Sequence, residues 1–295
     1  MNILFWAYLL DIVLLFAMPI VLGVVLVRKF VLEGRLWWTG AIFFVLSQIG
    51  HLPFDNYLIN PFLNRLTFSG SLPSLTVLII GALVLGLSAA LWEELFRYGM
   101  FRFWAKQART WMEGILLGAG HGGAAAIILG ILVLYNFANM VMVRNLDLST
   151  VVTPDQVPAL QAQIAAFWSV PWYHALWEAV EQLFLIPVQI CCAVLVLQTF
   201  LTKKWYWVAA AIGFHMLVEA SGIVARNLSS EYVMNAIYGV FAVAAVAIIF
   251  AVRKTQPNNG MPGEPKGLAY GSYRMASEPK SVEEMIAAVK KDKDN

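Results

Sequence analysis

Charge is scarce in this sequence. Only 13% of its residues are Asp, Glu, Lys or Arg, against about 25% in ordinary soluble domains, and 60% are hydrophobic. Too little polar surface remains to cover a water-facing globule. That excludes a soluble domain and leaves a polytopic helical membrane protein. The charge that exists nearly cancels, at +2, which argues against a nucleic-acid partner. Cysteine is almost missing. The two present, Cys191 and Cys192, are adjacent within an apolar run, and neighbours in sequence rarely pair, so both read as small buried hydrophobes. There is no HExxH run, which excludes a zincin. No internal repeat is visible, as an inverted-repeat carrier would require. No positive region precedes the first apolar run, and no small-residue cleavage site is evident before Arg28. That run is therefore expected to be a retained transmembrane helix and not a secretory signal.

Long apolar runs are what the sequence does have. About seven spans are expected, at about 4–27, 36–54, 74–98, 112–136, 173–200, 205–226 and 232–252, each close to the roughly 20 residues a bilayer demands. The segment PALQAQIAAFWSVPW, before the fifth span, is expected to lie in the interface. One set of connections holds Arg28, Lys29, Arg35, Arg97, Arg102, Lys106, Arg109, Lys203, Lys204, Arg253 and Lys254, and the other only Arg65, Arg144 and Arg226. The positive-inside rule puts the N-terminus outside and the C-terminus inside. Trp37, Trp38, Trp104, Trp111, Trp205 and Trp207 fall at the cytosolic ends, as an aromatic belt would. The expected architecture is thus an all-α, multi-pass helical bundle of the cell membrane over 1–253. A cytosolic tail over 254–295 is rich in Pro, Gly and Ser and reads as mostly disordered.

Against this apolar background a few polar residues stand out. Glu93 and Glu94 end the third span, in SAALWEELFRYGMF. His121 lies in GAGHGG, Glu178 and Glu181 in HALWEAVEQ, Gln189 in IPVQICC, and His215 and Glu219 in GFHMLVEA. An ionisable group in hydrocarbon costs at least about 2.5 kcal/mol on insertion scales, so each asks for a partner or a task. Counted from the cytosolic ends at about 1.5 Å per residue, Glu93 and Glu94 lie about 6–8 Å deep, His121 and His215 about 14–15 Å, Gln189 about 16 Å and Glu219 about 21 Å. Four helices thus bring polar groups into one slab of the cytosolic half, with Glu181 and then Glu178 further out. His215 and Glu219 are four apart and share a face, as do His174, Glu178 and Glu181. Glu93 and Arg97 are also four apart and suited to pair. Glu93 and Glu94 differ by about 100° around their helix, so only one of them need point at a given site.

Each residue has a plain structural reading beside the functional one. Arg97 snorkels to the cytosol and Glu93 neutralises it. His121 hydrogen-bonds between helices, and Gly118, Gly120, Gly122 and Gly123 allow close packing. Glu178 and Glu181 support the fold or line a pathway. The conjunction points further. Imidazoles and carboxylates on facing helices suit a divalent metal such as zinc, and a spare carboxylate can take a proton from water.

EELFRYGMF, GAGHGG, the VEQ…Q helix and FHMLVEA, in that order, with SQIGHLPF on the second span, resemble the YhfC-like intramembrane metalloproteases. That group is similar in turn to the clan of CPBP proteins and type II CAAX prenyl endopeptidases. The resemblance covers most of 1–253. It implies an all-helical fold with a cavity open toward the cytosol, in which Glu93 or Glu94 activates water while His121, His215 and Glu219 form the rest of the site. Arg97 follows Glu94 by three residues where the wider clan uses four, and Glu219 replaces an amide of the prenyl endopeptidases. Gln182 and Gln189 stand where the closer group often has arginine and histidine, and glutamine is a poor zinc ligand.

The reading that unites these features is an intramembrane metal-dependent endopeptidase acting on a membrane protein or peptide substrate. Glu93 and Glu94 are its catalytic pair, and His121, His215 and Glu219 its metal ligands. Arg97, Glu178, Glu181 and Gln189 are supporting residues. Two other classes stay open: a non-enzymatic binding or immunity protein on the same fold, and a proton-coupled carrier built on the Glu and His chain.

Overall fold

With no water to bond the backbone, a chain this apolar satisfies its peptide groups internally, as helix. The computed structural model describes residues 3–68, 73–150 and 152–253, all within the first of the two units into which the chain divides, Met1–Asn259. The expected tail, 254–295, lies outside the described residues. Among those residues there is no strand.

Helix α1 spans Ile3–Phe30 and α2 spans Arg35–Phe54. A π-helical turn at Asp55–Ile59 carries α2 into α3, Asn60–Phe68. Helix α4, Ser74–Gly99, runs into a second π turn at Met100–Trp104. Then follow α5 at Trp111–Val143, α6 at Val157–Ser169, α7 at Trp177–Thr202, α8 at Tyr206–Leu228 and α9 at Glu231–Arg253. Six segments are long and apolar enough to cross a membrane: α1, α4 with its π turn, α5, α7 with the short 3₁₀ turn before it, α8 and α9. The remaining expected span, 36–54, is helix α2. It spends part of its length on Ser47, Gln48 and His51, which face polar partners, and it is not among the six. The segment expected in the interface folds as α6 and has no buried residue.

Helix α7 occupies the centre. Every residue from 188 to 199 is buried, as an element that is apolar all round must be. It packs against α5, α8, α9 and α4, while α4 packs against α8 and α2. The glycines of GAGHGG set these spacings. A Cβ on Gly118 would stand 2.6 Å from the Cα of Ile190 in α7. A Cβ on Gly120 would run into the backbone carbonyl of Trp37 in α2. Helix α5 therefore passes between α2 and α7 at backbone contact, and His121 is delivered into the gap.

The helix ends are fixed locally. Thr110 and Glu113 form a reciprocal capping box at the start of α5. Lys203, in the left-handed conformation at φ 59°, stops α7. The start of α7 is capped from another helix: Asp11 of α1, fully buried, accepts the Ala179 N–H at 2.9 Å. A carboxylate there meets both the free N–H groups and the positive end of the helix dipole.

Candidate active site

Glu93 is the hub of the polar cluster. Its Oε2 lies 3.0 Å from His121 Nε2 of α5 and accepts the Gln189 amide of α7 at 3.2 Å. His215 Nε2 of α8 stands 3.8 Å from the same oxygen, and Arg97 Nη2 stands 3.9 Å away. The other oxygen, Oε1, accepts Gln48 Nε2 of α2 at 3.1 Å. Helices α2, α4, α5, α7 and α8 thus all reach one carboxylate.

Glu94 lies beside it with a different set of partners. Its Oε1 is ion-paired with Arg97 Nη1 and takes the Nδ1 of His215 at 2.9 Å. Arg97 also donates through Nη2 to Gln189 Oε1 at 2.5 Å. Arg97, Glu94 and His121 are 0% exposed and His215 1%, so Arg97 does not reach the cytosol as snorkelling would have it. Its nearer carboxylate is Glu94, three residues away, and not Glu93, four away. Both glutamates enter the cluster despite the 100° between them, because Glu93 reaches toward α2 and α5 while Glu94 reaches toward α8. The guanidinium bridges the divide.

Of the other residues singled out from sequence, Glu219 touches the cluster at its edge. Its Oε1 is 3.7 Å from His215 Nε2, and its side chain is 36% exposed. It is a partly exposed member of the cluster, as is Gln48. Glu181 lies elsewhere, paired with Arg226 of α8 at 3.3 Å. Glu178 is a half-buried residue three positions nearer the start of α7, and His174 pairs with Glu231 at 3.1 Å. Gln182 is buried on α7.

Sequence reasoning missed two contributors. Gln48 is one, though SQIGHLPF had signalled the segment. Its Oε1 meets His51 Nδ1 at 3.2 Å, His51 Nε2 meets Asp55 Oδ2 at 3.0 Å, and Ser88 donates to Asp55 Oδ1 at 2.5 Å. This string fixes the Gln48 amide with its N–H toward Glu93. Cys192 is the other: it is buried, as expected of a small hydrophobe, and it also stands beside Glu94 and His215.

Whether the cluster suits a metal turns on its unspent donors. Glu94 Oε2 and His215 Nε2 are buried and have no hydrogen-bond partner among the described residues. One ligating atom from each of Glu94, Cys192 and His215 lies within 4.8 Å of the other two. Carboxylate, thiol and imidazole form a set that zinc accepts, so the residues fit a divalent ion at this corner. Of the ligands expected from sequence, His215 belongs to that group, while His121 lies against Glu93 and Glu219 stands 3.7 Å from His215 Nε2.

Comparison with known proteins places the chain in a family. The family model described as YhfC intramembrane metalloprotease matches residues 14–245. The Bacillus subtilis (strain 168) protein described as "Uncharacterized membrane protein YhfC" is 27% identical over 250 residues, covering 81% of this chain and 91% of that one. No solved structure matches. With six membrane-capable helices and a match over most of its length, this is a multi-pass protein of the cell membrane, and it belongs to the YhfC intramembrane metalloprotease family.

Proposed function

We propose that this protein is an intramembrane metal-dependent endopeptidase whose general base is Glu93. The observation that carries the reading is the Glu93 carboxylate itself. It is buried, held on one oxygen by Gln48, and flanked on the other by imidazoles from two further helices at 3.0 and 3.8 Å. An anion in hydrocarbon that five helices converge to orient is costly as scaffold and apt as a base.

A peptide segment of a membrane protein enters on the Glu219 side, where the cluster is partly exposed. Glu93 takes a proton from water, whose oxygen bonds to the scissile carbonyl carbon. The C–N bond then breaks and Glu93 returns the proton to the leaving amine, giving a carboxylic acid and an amine, and the acid's proton passes to the amine to leave carboxylate and ammonium. His121 holds Glu93 Oε2 in line. Arg97 and Gln189 hold Glu94 and Glu93 apart, so that two adjacent carboxylates coexist. His215 and Glu94 would hold the divalent ion, zinc by the chemistry of the donors. When bound, such an ion supplies Lewis acidity toward water and toward a carbonyl oxygen. The loop charges favour the cytosolic half of the membrane for this chemistry.

The test compares membrane proteomes of cells carrying the wild type and Glu93→Gln. Cleavage products that vanish with the amide support the peptidase. If every membrane-protein fragment persists, the protein is a binder on the same fold. Reconstitution into liposomes with a proton-flux readout separates both from a carrier, for which Glu93-dependent flux is the required result.

A further inference from the structure

We propose that Cys192 is a metal ligand, its thiolate completing with Glu94 and His215 the protein shell of a divalent-cation site. The proposal rests on the metal-dependent reading above and names a donor that neither the family description nor the sequence motifs supply.

Three observations carry it. The first is proximity: Glu94, Cys192 and His215 offer ligating atoms all within 4.8 Å of one another, and all three residues are buried. Bonds of about 2.0–2.3 Å would set such atoms about 3.3–3.8 Å apart, so the side chains need close on an ion by no more than about 1.5 Å. The second is unspent capacity. Arg97 and His215 Nδ1 both occupy Glu94 Oε1, which leaves Glu94 Oε2 with no hydrogen bond among the described residues, while His215 Nε2 has only the longer approaches of Glu93 at 3.8 Å and Glu219 at 3.7 Å. A buried oxygen with nothing to bind is expensive unless a cation or water completes it. The third is charge. Glu93, Glu94 and, at the edge, Glu219 bring three negative charges against the one positive charge of Arg97. A thiolate adds another, so a divalent ion offsets negative charge that a low-dielectric surrounding disfavours.

On binding, the Cys192 S–H bond breaks, the sulfur–metal bond forms and the proton leaves to water. Three protein ligands leave a fourth position open, the pattern of catalytic rather than structural zinc. Cys191 supplies the internal control. It is equally buried but points about 100° away around α7 and is not in the group.

The experiment uses the full-length protein in detergent, stripped with a chelator and titrated with cobalt(II). Wild type and Cys191→Ser are expected to develop the near-ultraviolet sulfur-to-cobalt charge-transfer band. Cys192→Ser is expected to lack it and to bind cobalt at least about 10-fold more weakly. Should the serine variant not fold, X-ray absorption of the zinc-loaded wild type decides, with a sulfur scatterer expected at about 2.3 Å. Cobalt bound without the band, a band that survives Cys192→Ser, or a zinc shell of nitrogen and oxygen alone overturns the assignment while leaving a metal enzyme in place. No cobalt or zinc bound at all removes both the thiolate ligand and the metal-dependent reading. A peptidase based on Glu93 without metal is judged separately, by the proteome comparison.

Discussion

Arg97 is the residue on which the site's electrostatics depend. It is fully buried, reaches both glutamates, and donates to Gln189. Truncating it leaves two carboxylates uncompensated in hydrocarbon, and breaking a buried pair in this way costs about 3–5 kcal/mol. Arg97→Leu is therefore expected to lose that much stability in a detergent unfolding titration. Arg97→Leu with Glu94→Leu should recover most of it, because the charge goes with its partner. A double variant no more stable than the single would show that the guanidinium holds something other than Glu94. Gln48 has a lighter role, one hydrogen bond to the charged Glu93, worth about 1.5–3 kcal/mol. Gln48→Leu should slow formation of Glu93-dependent products about 10- to 100-fold with the fold intact. Unchanged product yield would count Gln48 as packing.

At the scale of elements, close backbone passage does what side-chain chemistry alone cannot. His121 reaches Glu93 because α5 lies at glycine-to-backbone distance from α2 on one side and α7 on the other. The helix is expected to tolerate substitution unevenly. Gly120→Ala drives a methyl into the Trp37 carbonyl and should cost at least about 1–3 kcal/mol, as overpacking does. Gly114→Ala meets only the flexible end of Leu197 at 2.8 Å and should cost far less. Thermal unfolding of the two variants side by side checks this, and equal losses would contradict it. The cap on α7 is a second device of this kind. Asp11→Ala removes the acceptor for the Ala179 N–H and should destabilise by about 1–2 kcal/mol, with Asp11→Asn close to wild type in the same assay. A cap supplied by a helix distant in sequence ties the first span to the one that carries Gln189 and Cys192.

For the whole molecule, the loop charges and the metal reading make separate predictions. A cysteine placed at Ile3 should react with an impermeant maleimide in intact cells, and one at Arg253 only after permeabilisation. The native Cys191 and Cys192 are 0% exposed and stay silent. The reverse labelling would turn the site to the other leaflet. Chelation should lower stability by the linkage term, about 2.7 kcal/mol where free zinc stood at 100 times its dissociation constant, visible as a fall in Tm that added zinc reverses. The sequence by itself determined the class of molecule, the six long apolar helices and α2, and the roster of charged residues in the membrane. It did so because a span needs a run of apolar residues and a buried charge is conspicuous within one. Helical spacing by itself also puts His215 and Glu219 on one face. Only the tertiary structure decided who partners whom. It gave Arg97 to Glu94 more closely than to Glu93, brought Gln48 onto Glu93, paired Glu181 with Arg226, and set a cysteine beside a carboxylate and an imidazole. Those outcomes depend on how each helix is rotated and how closely it approaches its neighbours. These are fixed by contacts between residues far apart in the chain, such as Gly120 with Trp37, which no local pattern encodes.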